Sequence, residues 1–370
     1  MTTNNIRENY SEDFNDGYYH VGKDLEEYPD AWCIVVWSKR GVGKTYSGLW
    51  YSYGHRIKMM YAKRTVEDVN LICAGGDRGA TLSPYKALNR DKNINIVAEK
   101  IQDGLGAFYQ CDEDGETYGD YVAMIMALNK IKTVKGFDAS DIDWLLVDEF
   151  IPQIGERTSA GAKEGELLLH QYMTISRDRI KRGRKDLKLI LFANAEEIAT
   201  PITNTLEIVD DMAEMNSSGE RIRYLENRGI LLHHTTEDEI PLTDSEQKSG
   251  IYRAMSNTSW GRKSFGGEFA NNDFSNVQKC SIKNMQPLIE IIHKNHHFYI
   301  YIRDDGFYYM TTSHAKCEIV YNLNLENDQR LFYDSWWFEL REACINGMMK
   351  FKKYSMYDLL VNFKKYFKTV

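Results

Sequence analysis

Apolar residues run without a break from Ala31 to Trp37 (AWCIVVW), and β-forming types dominate the run. Such a stretch predicts a strand buried on both faces, as in a parallel sheet. Shorter runs of the same kind occur at Lys58–Lys63 (KMMYAK), Trp144–Val147 (WLLV) and Leu187–Phe192 (LKLILF). Stretches with few breakers predict helices from Lys44 to about Ile57 and from about Glu166 to Lys181. Strands that alternate with helices predict an α/β fold with a parallel sheet. Alternating apolar positions from about Asn93 to Asn129, around the turn Asp112-Glu113-Asp114-Gly115, predict a β-hairpin insertion.

The rest of the chain divides by pattern. Residues 1–30 are polar and acidic and form an N-terminal extension. Residues 31–215 carry the strand and helix alternation. The segment from Glu207 to Gly250 is mixed and charged, and Tyr252 to Phe274 is rich in Ser, Asn and Gly. A linker or lid is therefore expected over 216–278. From 279 to 370, strand-like runs at Leu288–Tyr301, Gly306–Thr312 and Glu318–Leu323 precede a helical end. The turn Asp304-Asp305-Gly306 closes a hairpin there. A small α+β domain is expected.

Composition narrows the class. The chain has 370 residues, 43% hydrophobic and 12% aromatic, which excludes disordered and fibrous proteins. That length suits about two domains. Met1 to Asn5 is polar, without the apolar segment of a secretory signal. No apolar run approaches the roughly 20 residues of a membrane span, so no membrane partner is expected. Six scattered cysteines with no CxxC pair predict free thiols in a reducing compartment. A formal net charge of -8 argues against a surface coated by nucleic acid, but permits a local basic lining. From Lys279 onward there are 13 basic and 10 acidic residues, so the acidity lies earlier in the chain.

The chemistry begins at Ser38-Lys39-Arg40-Gly41-Val42-Gly43-Lys44-Thr45, between a buried strand and a helix. That is the context of a P-loop, in which glycines let backbone N–H groups turn around a phosphate and the helix N-terminus favours negative charge. Lys44 would reach the β- and γ-oxygens of ATP, and Thr45 would hold Mg²⁺. Ser38 stands where the pattern has Gly. Trp144-Leu145-Leu146-Val147-Asp148-Glu149 is an apolar strand ending in two acids. Asp148 would bind Mg²⁺ through water, and Glu149 would act on the attacking water as general base. Asn194 follows the next strand, either as a sensor of the γ-phosphate and lytic water or as a helix cap. The segment from Arg177 to Lys185 is dense in positive charge. Three roles compete for it: an arginine finger for a neighbouring subunit, contact with DNA phosphates, or a solvated helix end. His293, His296 and His297 lack further ligands at zinc spacing, and Asp304 and Asp305 fall in the hairpin turn.

The order of these motifs resembles the DNA-packaging (encapsidation) ATPases of small podophages of the Salasvirus type. The matching pieces are SKRGVGKTY, MYAKR, WLLVDEF, TISRDR, LFANA, GRKSFGGEFANNDF and WWFELREACINGMMKF, spread over most of residues 31–370. The resemblance implies an additional-strand catalytic-glutamate (ASCE) P-loop core in a homopentameric ring. It also implies a vestigial RNase-H-like C-terminal domain facing the portal of a procapsid and, in some relatives, a packaging RNA. Double-stranded DNA would be the translocated substrate, and ATP with Mg²⁺ the fuel. Lys44, Thr45, Asp148 and Glu149 take the Walker roles, Asn194 the coupling position and Arg177 the trans-acting arginine, with Arg179 close behind. Arg157, Lys163, Arg179 and Arg182 are the DNA-contact candidates. The expected location is the host cytoplasm, transiently on the procapsid and not in the mature virion. Ser38 and the longer N-terminal extension depart from the family pattern. Rival functions are a helicase or conjugative translocase, a terminase with a live nuclease, and a nucleotide-gated scaffold.

Overall fold

The computed structural model describes residues 10–112, 117–130, 139–153, 161–177, 179–269 and 272–367. The chain divides into two compact units. One comprises Met1–Leu206 with Glu214–Asn271, the other Glu207–Ala213 with Asn272–Val370. No helix among the described residues is long and apolar enough to cross a membrane.

The first unit is built on nine strands: β1 (Cys33–Ser38), β2 (Met59–Lys63), β3 (Ile96–Gln102), β4 (Leu105–Cys111), β5 (Thr117–Ala127), β6 (Trp144–Asp148), β7 (Lys188–Asn194), β8 (Ile222–Leu225) and β9 (Ile230–Thr235). They form one sheet in the order β3-β4-β5-β2-β6-β7-β1-β9-β8. The six strands from β5 to β9 in that order are mutually parallel, and antiparallel strands close both edges. β7 lies between the strand of the phosphate loop and the strand that ends in Asp148, which is the additional strand of the ASCE arrangement. Every position of β1 is buried, and Ile34, Val35, Val36 and Trp37 are fully so. Each such burial contributes roughly 1.5–3 kcal/mol.

The helix Lys44–Gly54 lies directly on this sheet. Gly48 permits that approach, because a Cβ there would stand 2.8 Å from Leu146 Cδ1. The hairpin expected over 93–129 is the β3–β4–β5 meander at one sheet edge; of its turn, residues 113–116 lie outside the described residues.

Three expectations are revised. The helix expected to reach Lys181 spans Glu164–Ile175, and a separate 3₁₀ turn covers Ile180–Arg182. The nucleotide unit does not stop at 215, since β9 pairs along its whole length with β1. The N-terminal extension is part of the same unit: the helix Val21–Glu27 buries Val21, Gly22 and Asp24. Residues 216–278 do contain three short helices, Asp244–Gln247, Gly250–Met255 and Ser259–Gly266.

The second unit is α+β, as expected. Its strands are β10 (Gln286–His293), β11 (His296–Ile302), β12 (Tyr308–Thr311), β13 (Ile319–Asn322) and β14 (Met349–Phe351), in the order β13-β10-β11-β12-β14. β10, β11 and β12 form an antiparallel meander, and β13 joins parallel to β10. That is an RNase-H-like beginning. β14 adds parallel to β12 at the opposite edge, where RNase-H-like sheets extend on the side of the first strand. Gly306 (φ 81°) closes the β11–β12 turn, and Arg303 pairs with Asp305.

Candidate functional site

The parallel strands deliver their C-terminal residues to one edge of the sheet. Register sets Ser38 of β1 beside Asn194 of β7, and Asp148 of β6 beside Phe192 of β7. From Ser38 the chain turns through Gly41 (φ 81°) and Gly43 (φ 85°), both in the left-handed region that favours glycine. Gly43 is the N-cap of the helix Lys44–Gly54. A cavity of about 320 Å³ results, lined by residues 40–46, Asp148, Glu149, Ala193 and Asn194.

Lys44 is 7% exposed at the floor of this site. Its ammonium donates to Ser38 Oγ, to the Lys39 carbonyl at 3.3 Å and to Asn194 Oδ1 at 3.4 Å. Burial pushes its pKa down to about 8, against the opposing pull of Asp148 and Glu149. The Ser38 hydroxyl also donates to the Lys39 carbonyl. Thr45 Oγ1 and Tyr61 Oη both donate to Asp148 Oδ2, each at 2.9 Å. Burial, with Asp148 next to it, holds the Tyr61 phenol well above its usual range.

Glu149 is exposed and sits at φ 56°, an uncommon conformation for a residue with a side chain. Arg64, at the end of β2, fixes that conformation. Its Nη2 donates to the Glu149 carbonyl at 2.6 Å, while Nε binds the buried Glu164 at 2.7 Å. A third support comes from Phe150 N–H, which donates to the Phe192 carbonyl at 3.0 Å.

The other side of the loop is buttressed by residues expected in a linker. His234 Nε2 binds the Gly267 carbonyl at 3.0 Å, and its ring stacks on Trp37. Gly267 is pressed against the loop so closely that a Cβ would lie 2.6 Å from Lys39 N. Glu196 is paired with Lys263 at 2.7 Å and with Arg40 at 3.6 Å.

The structure thus gathers the loop 38–45, Asp148, Glu149 and Asn194 in one place. It does not gather the basic segment. Arg177 is exposed beyond the end of its helix, and Arg182 and Lys163 are exposed as well. Arg157 lies outside the described residues. Arg179 must be withdrawn as a DNA contact and as a second finger. Its side chain is 2% exposed, and its guanidinium binds Asp143 Oδ1 at 2.6 Å, the Lys185 carbonyl at 3.1 Å and the Ile142 carbonyl. Sequence reasoning missed Tyr61 and Arg64. Both lie in MYAKR, but nothing in that string says that its strand neighbours the acidic one.

Chemically the cavity presents an ammonium, glycine-loop N–H groups and a helix N-terminus to an anion. Thr45 Oγ1 and Asp148 Oδ2 are hard oxygen donors 2.9 Å apart on its wall. One carboxylate and one hydroxyl, completed by water and phosphate oxygens, suit Mg²⁺.

No protein-family model matches the chain, and no curated protein matches it. Solved structures do. The bacteriophage Phi-29 viral genome packaging motor assembly is 18% identical, with 94% of this chain and 99% of that chain covered at a TM-score of 0.61. The Phi-28 gp11 DNA packaging motor is 16% identical, with 95% and 98% covered at a TM-score of 0.58. At such identity the likeness establishes a fold shared along nearly the whole of both chains.

Proposed function

We propose that this protein is an ATP-hydrolysing motor that drives double-stranded DNA into a viral procapsid. The observation that carries the reading is the meeting of Lys44, Thr45, Asp148, Glu149 and Asn194 at one sheet edge. A fold shared with two packaging motors over almost the full chain supports the DNA-packaging part. Lys44 and the loop N–H groups hold the β- and γ-phosphates. Thr45 and Asp148 hold Mg²⁺, which when bound neutralises phosphate charge. The Glu149 carboxylate orients a water and accepts its proton, and Asn194 holds the γ-phosphate or that water in line. Catalysis is positioning and charge stabilisation, with no covalent intermediate.

In the same reading the chain works as a homopentameric ring on the portal, with a packaging RNA where relatives use one. It acts in the host cytoplasm, attaches to the procapsid transiently and is left out of the mature virion. Arg177 of one subunit completes the site of the next. The test is ATP turnover with and without double-stranded DNA for the wild type, Glu149→Gln and Arg177→Ala. The mixture of the two inactive variants regains turnover if the arginine acts in trans. Turnover indifferent to DNA, or a fully active Glu149→Gln, would sink the proposal.

A further inference from the structure

Three ionisable side chains meet inside the nucleotide unit, outside the phosphate cavity. Asp24 comes from the N-terminal helix Val21–Glu27, His233 from β9 and Glu239 from the turn after that strand. The side chains of Asp24 and His233 are each 4% exposed. His233 Nδ1 lies 2.9 Å from both Asp24 oxygens, and Nε2 lies 3.0 Å from Glu239 Oε2. A neutral imidazole has a single N–H, so a ring with a carboxylate at each nitrogen is the doubly protonated cation. Tyr19 Oη gives Asp24 a second donor, at 2.7 Å. Replacing a buried ion pair by apolar groups of similar volume is often neutral or stabilising, so stability alone does not account for the trio. What it supplies is direction.

The trio fixes where the N-terminal segment lies. His233 sits on a strand paired with β1, in register with Val36, and β1 leads into the phosphate loop. The segment held by His233 reaches that loop from the outside. Val21 N–H donates to Ser47 Oγ at 2.7 Å, and Tyr19 N–H donates to the Val42 carbonyl at 2.9 Å. Gly22 lets the segment lie on the helix Lys44–Gly54, since a Cβ there would stand 2.9 Å from Tyr51 Cε2. The bond from Tyr19 bears on the chemistry. A trans peptide points its C=O and its N–H in opposite directions. With the Val42 carbonyl turned to Tyr19, the Gly43 N–H of the same peptide points away from the segment, to the side where the loop lines the phosphate cavity.

We infer that Asp24 and His233 are positioning residues for the phosphate loop: their buried pairing clamps the N-terminal segment to the sheet and, through Tyr19 and Val42, aims the Gly43 N–H at the phosphate. The inference rests on the nucleotide reading of that loop. It makes the N-terminal extension a working part of the site, although neither residue touches the phosphate.

Titration calorimetry of inorganic tripolyphosphate into the full chain tests it, with the melting temperature measured alongside. Two variants remove the clamp. Tyr19→Phe/Asp24→Leu/His233→Leu fills the space with apolar groups, and Tyr19→Phe/Asp24→Leu leaves His233 its Glu239 partner. Both should bind tripolyphosphate about tenfold more weakly, the size of one hydrogen bond to a charged group. In the triple variant the melting temperature should hold while affinity falls, because the ion pair is replaced rather than broken. His233→Asn, whose amide can donate to Asp24 from the place of Nδ1, should recover affinity to within about threefold of the wild type. Wild-type affinity in a folded variant that lacks the clamp overturns the inference and leaves the phosphate site standing. Affinity that falls only in step with melting temperature, in His233→Asn as in the others, also overturns it and makes the trio a packing element. A wild type that binds neither tripolyphosphate nor ADP overturns the nucleotide reading, and the inference with it.

Discussion

Lys44 is charged in a buried place, and its cost is the first thing the site must offset. The folded pKa of about 8 lies below the usual 10.5, so folding favours the neutral amine. Below pH 8 both states are protonated and the destabilisation is at its full size. As pH rises from 8 toward 10.5 the unfolded chain binds more protons than the folded one, and stability climbs. Lys44→Met removes this cost. We therefore expect the ligand-free variant to be more stable than the wild type at pH 7, by about 3 kcal/mol at most. That advantage should shrink by about 2 kcal/mol at pH 9.5. Urea unfolding of both proteins at the two pH values checks it; a constant difference would mean that Lys44 keeps its ordinary pKa in the folded chain. Arg64 gives a second prediction at this scale. It holds the backbone of Glu149 and not its carboxylate, so its loss should misplace the proposed general base. Arg64→Met should lower turnover about 100-fold, the scale of a small misplacement, with ADP affinity kept within a few fold. Because Glu164 would be left buried, the double variant Arg64→Met/Glu164→Gln serves as control. Turnover restored in it would reduce Arg64 to an ion-pair partner.

The elements differ in how far their sequence betrays them. β1, β2, β6 and β7 were legible because strands covered on both faces are written as unbroken apolar runs. β9 was not, although all six of its positions are buried. Its string Ile-Leu-Leu-His-His-Thr ends in residues that look solvated. His233 is buried because Asp24, from the N-terminal helix, and Glu239 bind its two nitrogens at 2.9 and 3.0 Å. Burial alone would depress its pKa, but those hydrogen bonds outweigh burial and push it up to about 10. A strand whose polar residues find partners some 200 positions away cannot be recognised from its own periodicity. The cavity was legible for a related reason: the residues 38–45, Asp148, Glu149 and Asn194 sit within short local strings, whereas Arg64 and Tyr61 reach it through sheet order. In the basic segment after the helix Glu164–Ile175, charge density suggests exposure throughout, and Arg177 and Arg182 follow it whereas Arg179 does not. Arg179 is a structural pin in that turn, and its loss leaves the buried Ile142 carbonyl without its guanidinium donor, while Asp143 keeps Arg184 at 3.0 Å. Arg179→Ala should cost about 1–3 kcal/mol in urea unfolding, the scale of a buried acceptor left unmade. Arg177→Ala and Arg182→Ala, at exposed positions, should stay within about 0.5 kcal/mol. Equal effects for all three would show that Arg179 is not buried in solution.

For the whole molecule the tension is electrostatic: a chain with net charge -8 is proposed to grip a polyanion. Long-range attraction cannot do this, so any grip must come from a few basic side chains that meet phosphates directly. Such contacts release counterions, and affinity then falls with salt by a slope of about 0.9 per phosphate neutralised. Lys163 and Arg182 are exposed and free to make them, whereas the guanidinium of Arg179 is committed to its own chain. Binding of a fixed DNA duplex, followed by fluorescence anisotropy over a salt series in the presence of a non-hydrolysed ATP analogue, should give a slope reduced by about 1 in Lys163→Ala and in Arg182→Ala. A conservative Arg179→Lys variant, if folded, should keep the wild-type slope. A slope that stays at the wild-type value in both Lys163→Ala and Arg182→Ala would place the DNA path elsewhere on the protein. A slope that changes with Arg179 would mean that this turn opens when DNA binds.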